Sequence, residues 1–249
     1  MLNINRRHVI STAPALLYAS AGAATEAAPG AHRFVPCVPA RDGTPLHLLD
    51  WGQGRPVVFM HAWALNSAMW EYPMTAATDA GCRAVAFDRR GHGKTPDPGR
   101  GYDYATLADD LAAVLEALDL RGVTLVGHSM GCTEIATYLQ RHGRGRVSRV
   151  VFVSSPGPDA QGGPMLDNFL APLKHDRPGA LTGAVGLFTG PASAPASPMA
   201  QWVLSQFLQT SPLATRECLR LAMQVPMRPV LGAVKVPTLL VHGGQDALN

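Results

Sequence analysis

Charge is scarce in this chain. Of its 249 residues only 16% are Asp, Glu, Lys or Arg, while 47% are hydrophobic. That balance excludes a disordered polyelectrolyte and supplies enough apolar side chains for a sizeable core. The length suits one large α/β domain and is short for two. Cysteine is sparse as well. Cys37, Cys82, Cys132 and Cys218 stand far apart, with no C-x-x-C pair and no histidine at metal-ligand spacing. This predicts buried free thiols, no disulfide and no metal site. Nor does one sign of charge dominate. The net charge is +3, and without the first 23 residues 19 basic side chains face 18 acidic ones, a balance of +1. Nothing in it calls for nucleic acid or an anionic membrane. No segment is predicted to span a membrane, and the sequence carries no signal for an oligomeric state.

The N-terminal stretch reads differently from the rest. Asn5-Arg6-Arg7 precedes an uncharged, Ala/Leu-rich run from Val9 to Thr25, and Ala21-Gly22-Ala23 has the small-x-small form of a cleavage site. The run is too short and too rich in Ala and Ser to span a bilayer. Residues 1–23 resemble a twin-arginine export signal, with Asn5 where that motif usually carries Ser or Thr. The expectation is a periplasmic or secreted protein, exported already folded, with residues 24–249 forming the domain.

From residue 33 onward short apolar runs alternate with amphipathic ones. Pro56–His61, Arg83–Asp88, Val123–Gly127, Arg149–Ser154 and Thr238–His242 are nearly continuous hydrophobic runs, the pattern of strands covered on both faces of a parallel sheet. Arg33–Val38 and Leu46–Trp51 alternate and predict an antiparallel pair at the sheet edge. Leu107, Leu111, Val114, Leu115 and Leu118 form one helical stripe. The alternation predicts an α/β fold with a mostly parallel, doubly covered sheet. The rhythm breaks over residues 156–235, where Gly162-Gly163, a Pro/Ala/Ser-rich loop at Gly190–Pro198 and helices at Met199–Gln209 and Pro212–Gln224 predict a helical cap inserted over the sheet.

The chemistry centres on Gly127-His128-Ser129-Met130-Gly131, placed between a buried strand and a helix. A sharp strand-to-helix turn holds the central hydroxyl clear of the backbone and needs small neighbours at Gly127 and Gly131. Helix amides beside it favour developing negative charge. Acyl transfer needs two N–H donors for the oxyanion. Met130, the residue after the serine, is placed to give one, and Trp63, in the loop after Pro56–His61, the other.

These segments resemble the α/β-hydrolases, and within them the cofactor-free bacterial haloperoxidase/arylesterase group, also called perhydrolases. The resemblance rests on His61-Ala62-Trp63-Ala64-Leu65-Asn66 with Met69-Trp70, on Phe87-Asp88-Arg89-Arg90-Gly91-His92-Gly93-Lys94-Thr95, on Tyr102-Asp103-Tyr104 with Leu107–Leu111, and on the Ser129 elbow with Cys132. It spans residues 33–155 and resumes at Val236–Asp246. It implies a serine hydrolase of small carboxylic esters that uses no metal or haem, with hydrogen peroxide able to replace water. Ala62 stands where the family keeps glycine. Because alanine resists a positive φ, a reset oxyanion loop is expected. Gly91–Thr95 is not a phosphate loop, because the position that would need glycine is Asp88. A dehalogenase would need a carboxylate nucleophile where this elbow has serine.

The family keeps its triad acid where Asp246 stands, in His242-Gly243-Gly244-Gln245-Asp246, and some α/β-hydrolases keep it where Asp159 stands. Chain order in this fold is serine, acid, histidine, yet no histidine follows Asp246. His175 in the cap is the one uncommitted candidate. The sequence therefore reads as a C-terminally truncated hydrolase without its general-base histidine, lacking the last strand and helix. The alternative expectation is an inactive remnant that at most binds apolar ligands. The cap residues Met165, Leu166, Phe169, Leu170, Phe188, Trp202 and Phe207 suit a hydrophobic acyl or aryl group, or simply pack the cap onto the sheet.

Overall fold

A computed structural model describes residues 36–159, 162–190, 194 and 196–246. The export-signal segment 1–23, the opening residues 33–35 of the first expected strand and the three residues after Asp246 lie outside them.

Among the described residues seven strands form one sheet: β1 (Cys37–Pro39), β2 (Pro45–Trp51), β3 (Arg55–Met60), β4 (Cys82–Phe87), β5 (Val123–His128), β6 (Val147–Val153) and β7 (Thr238–Val241), in the order β1-β2-β4-β3-β5-β6-β7. The β1–β2 and β2–β4 pairs are antiparallel and all the others parallel. This is the mostly parallel sheet of the α/β-hydrolase fold. Successive residues send their side chains to opposite faces. Val58, Val85 and Leu125 meet helices α2 (Tyr104–Ala117) and α3 (Met130–His142) on one face. Phe59, Ala84, Ala86 and Val126 meet Trp70 and α1 (Glu71–Asp79) on the other. Continuous apolar runs are required because both faces are dry.

Helix α2 begins where the Asp103 carboxylate accepts the Thr106 amide at 2.8 Å. It buries Leu107, Leu111, Val114 and Leu115 completely, each contributing about 1.5–3 kcal/mol. Leu118 falls just past its end as the capping residue.

Between β6 and β7 the described chain is helical: α4 (Pro164–His175), α5 (Arg177–Thr189), α6 (Pro198–Gln209), α7 (Pro212–Gln224) and the short α8 (Arg228–Leu231). Helices α6 and α7 start with the same device. Ser197 and Ser211 accept the amides of Ala200 and Ala214, and each is followed by a proline that fits the first helical turn. Helices α4 and α5 go beyond the two predicted. Pro172 inside α4 and Gly179, Gly183 and Gly186 inside α5 contradict local helix propensity, and burial of Leu166, Leu170, Leu181 and Val185 overrides it.

The Thr238–His242 run is as apolar as its neighbours, yet β7 is the outermost strand among the described residues and Leu239, Leu240 and Val241 are all exposed. One further expectation needs correction. The four thiols are free, yet only Cys132 and Cys218 are buried; Cys37 is exposed and Cys82 half-buried.

Candidate active site

One residue separates β5 from α3, and it is Ser129. Its φ of 53° and ψ of −122° are strained for a residue with a side chain, at a cost of about 1–3 kcal/mol. The strain is held by packing on every side. The Ser129 amide donates to Val153 O of β6 at 3.0 Å. A Cβ on Gly127 would lie 2.8 Å from Gly131 backbone atoms, and one on Gly131 would lie 2.8 Å from Met60 O. Both elbow glycines are therefore needed for α3 to seat against β3 and β5. Met130 opens α3 at its positive dipole end.

The facing wall is the loop after β3. Ala62 takes no positive φ, and the loop turns left-handed at Ala64, φ 58°. Thr210 Oγ1, between α6 and α7, holds that residue by donating to Ala64 O at 2.8 Å. The Trp63 indole donates to Thr215 O of α7 at 2.7 Å. Neither the Trp63 nor the Met130 backbone N–H has a hydrogen-bond partner among the described residues, which leaves both available to a ligand.

Ser129 and Trp63 line one cavity of about 80 Å³, closed above by Phe169, Phe188, Leu219 and Met223 and floored in part by Thr133. Trp202, expected among these residues, instead faces an outer groove. Leu166, Leu170 and Phe207 are buried in the cap core, the Met165 side chain lies outside the described ones, and of the cap residues expected from the sequence Phe169 and Phe188 line the cavity.

The two candidate acids differ in setting. Asp159 lines the same cavity, but its exposed carboxylate is gripped in bidentate fashion by Arg228 at 2.7 and 2.6 Å. Asp246 is largely buried in the loop after β7. One of its oxygens lies 3.9 Å from His242 Nε2. Burial pushes the elbow residue His128 down to about 4, and the charge of Asp246 pulls it the other way. Among the described residues no imidazole lines the Ser129 cavity, and His175 sits exposed in the last turn of α4.

An ion pair invisible to local reading joins the two walls. Arg89 and Glu134 are both fully buried and meet through two hydrogen bonds of 2.5 and 2.7 Å. Arg89 also donates to His61 O at 2.8 Å, and its amide donates to His61 Nε2 at 3.0 Å. Glu134 lies five residues beyond Ser129 and His61 two before Trp63, so one guanidinium ties the elbow helix to the loop after β3. The Gly91–Thr95 stretch is a turn wrapped on Asp88, whose carboxylate accepts the Ser67 and Lys94 amides.

Three histidines here are uncharged in the fold. Burial pushes His92 down to about 3 and His61 well below its usual value, with Arg89 adding repulsion at both. In the unfolded chain each protonates near 6.5, so below that pH the unfolded state binds more protons. Stability is expected to fall as pH drops from about 6.5 towards 4, by about 1.4 kcal/mol per pH unit for each histidine. Urea midpoints at pH 7 and pH 5 check this; equal midpoints contradict it.

No helix of the described residues is long and apolar enough to cross a membrane. Residues 55–181 match the family model described as the alpha/beta hydrolase fold. A non-heme chloroperoxidase from Kitasatospora aureofaciens is 38% identical over 85% of this chain and 82% of its own. A bifunctional esterase/perhydrolase from Acinetobacter calcoaceticus is 30% identical over 84% and 81%. An esterase structure from Exiguobacterium antarcticum superposes with a TM-score of 0.81 at 31% identity, covering 86% and 83%.

Proposed function

Since the chain belongs to the α/β-hydrolase family, we propose that it cleaves small carboxylic esters through an acyl-serine intermediate on Ser129. The observation that carries this reading is the strained elbow, which presents the Ser129 hydroxyl to a cavity shared with the Trp63 loop. Ser129 Oγ attacks the acyl carbon and gives its proton to a general base, in this family's chain order a histidine after the acid, which none of the described residues lining the cavity supplies. The carbonyl oxygen becomes an oxyanion held by the Trp63 and Met130 amides. Collapse expels the alcohol, which takes up the proton, and water then cleaves the acyl-enzyme. Peroxide in place of water would yield a peracid, a reading supported by the esterase/perhydrolase relative. A cavity of about 80 Å³ favours a compact acyl group.

A second reading, a chain that binds apolar ligands without turning them over, is favoured by the lack of an imidazole among the described residues lining the cavity. Mixing with p-nitrophenyl acetate separates the two. The enzyme reading expects a nitrophenol burst near one equivalent and an acetyl group on the tryptic peptide containing Ser129. An unmodified peptide with no burst would favour the binding reading.

A further inference from the structure

We propose that a groove between α1 and the cap helix α6 binds a small alkylammonium ion. Three aromatic residues line it: Trp51 at the end of β2, Tyr72 in the first turn of α1 and Trp202 in α6. The Tyr72 and Trp202 ring centroids are 6.5 Å apart with planes at 77°, so the rings make two walls of a corner instead of a stack. The groove is open and about 590 Å³ in volume, and Tyr72 leaves 76% of its surface exposed. Glu71 is the one charged side chain among the lining residues.

Each of these features selects the same ligand. Aromatic faces carry negative potential and attract cations within about 6 Å. A quaternary ammonium is weakly hydrated, and its methyl groups pack on rings and on Met199 at the groove edge. Glu71 supplies the opposite charge. A hydrated metal ion would find a single carboxylate among apolar walls, and an anion would meet that carboxylate's repulsion. A phosphocholine head would bring its phosphate beside Glu71, so a free ammonium fits better than a membrane lipid. The groove shares no lining residue with the Ser129 cavity, so the inference stands apart from the hydrolase reading.

Saturation-transfer NMR with tetramethylammonium tests it, with neopentyl alcohol as the uncharged analogue. The expected result is saturable binding with a dissociation constant on the order of millimolar, weaker for the alcohol. Exposed cation–π contacts imply a loss of about two- to fivefold for each ring removed, read in Tyr72→Ala and Trp202→Leu. Glu71→Gln is expected to weaken the ammonium but not the alcohol, and Ser129→Ala to change neither. Tyr72 is exposed enough that its replacement leaves folding intact, so a failure of Trp202→Leu to fold does not spoil the test. No saturable binding, equal affinity for the alcohol, or undiminished binding in Tyr72→Ala overturns the proposal. So does co-sedimentation with phosphatidylcholine vesicles when the free ion does not bind.

Discussion

Replacing Arg89 by methionine is expected to remove about 3–5 kcal/mol of stability, the usual cost of leaving one charge of a buried pair without its partner. Glu134 would remain fully buried in α3 with both oxygens unsatisfied. The His61 carbonyl and imidazole would also lose their guanidinium contact. For a chain of this size the loss corresponds to a drop on the order of 10 °C in melting temperature. Arg89→Met with Glu134→Leu should recover most of it, because a matched apolar pair has no desolvation penalty. Urea unfolding of the two single variants and the double variant checks this. A single-variant loss below about 1 kcal/mol would mean that water reaches the pair, contrary to its burial.

The second large effect concerns the base. No imidazole lines the Ser129 cavity among the described residues, so added imidazole is expected to speed acylation of Ser129 by p-nitrophenyl acetate. General-base catalysis contributes about 10²–10⁴-fold, and a diffusing base should restore part of that range. Ser129→Ala is expected to abolish the burst with or without imidazole, after subtraction of the imidazole-catalysed reaction in free solution. Stopped-flow traces across an imidazole series measure both. Acylation independent of imidazole would mean that the chain already supplies a base, and acylation surviving in Ser129→Ala would remove this serine from the mechanism.

How far the sequence could be read depended on the range of the interactions. The β3, β4, β5 and β6 runs were plain because burial on both faces suppresses alternation. The elbow was plain because a one-residue turn demands Gly127 and Gly131 within five positions. Helix α5 was hidden, since three glycines mask a segment that only tertiary burial makes helical. The Asp176 cap two residues before Pro178 was its one local signal. The left-handed turn at Ala64 could not be read either. It is imposed by Thr210, 146 positions away. Arg89 and Glu134 are 45 positions apart, and nothing local links them. The resemblance put Asp246 ahead of Asp159; their surroundings part them as well, one clamped by Arg228 at the surface and the other mostly buried in the loop after β7.

The bonds from Thr210 to Ala64 and from Trp63 to Thr215 make the roof of the cavity and one of its working walls a single mechanical piece. On the acyl-serine reading, a substrate that lifted the α6–α7 corner on its way in would also loosen the Trp63 amide. Entry and readiness would then be opposed, and the site would be set for reaction only with the corner settled back.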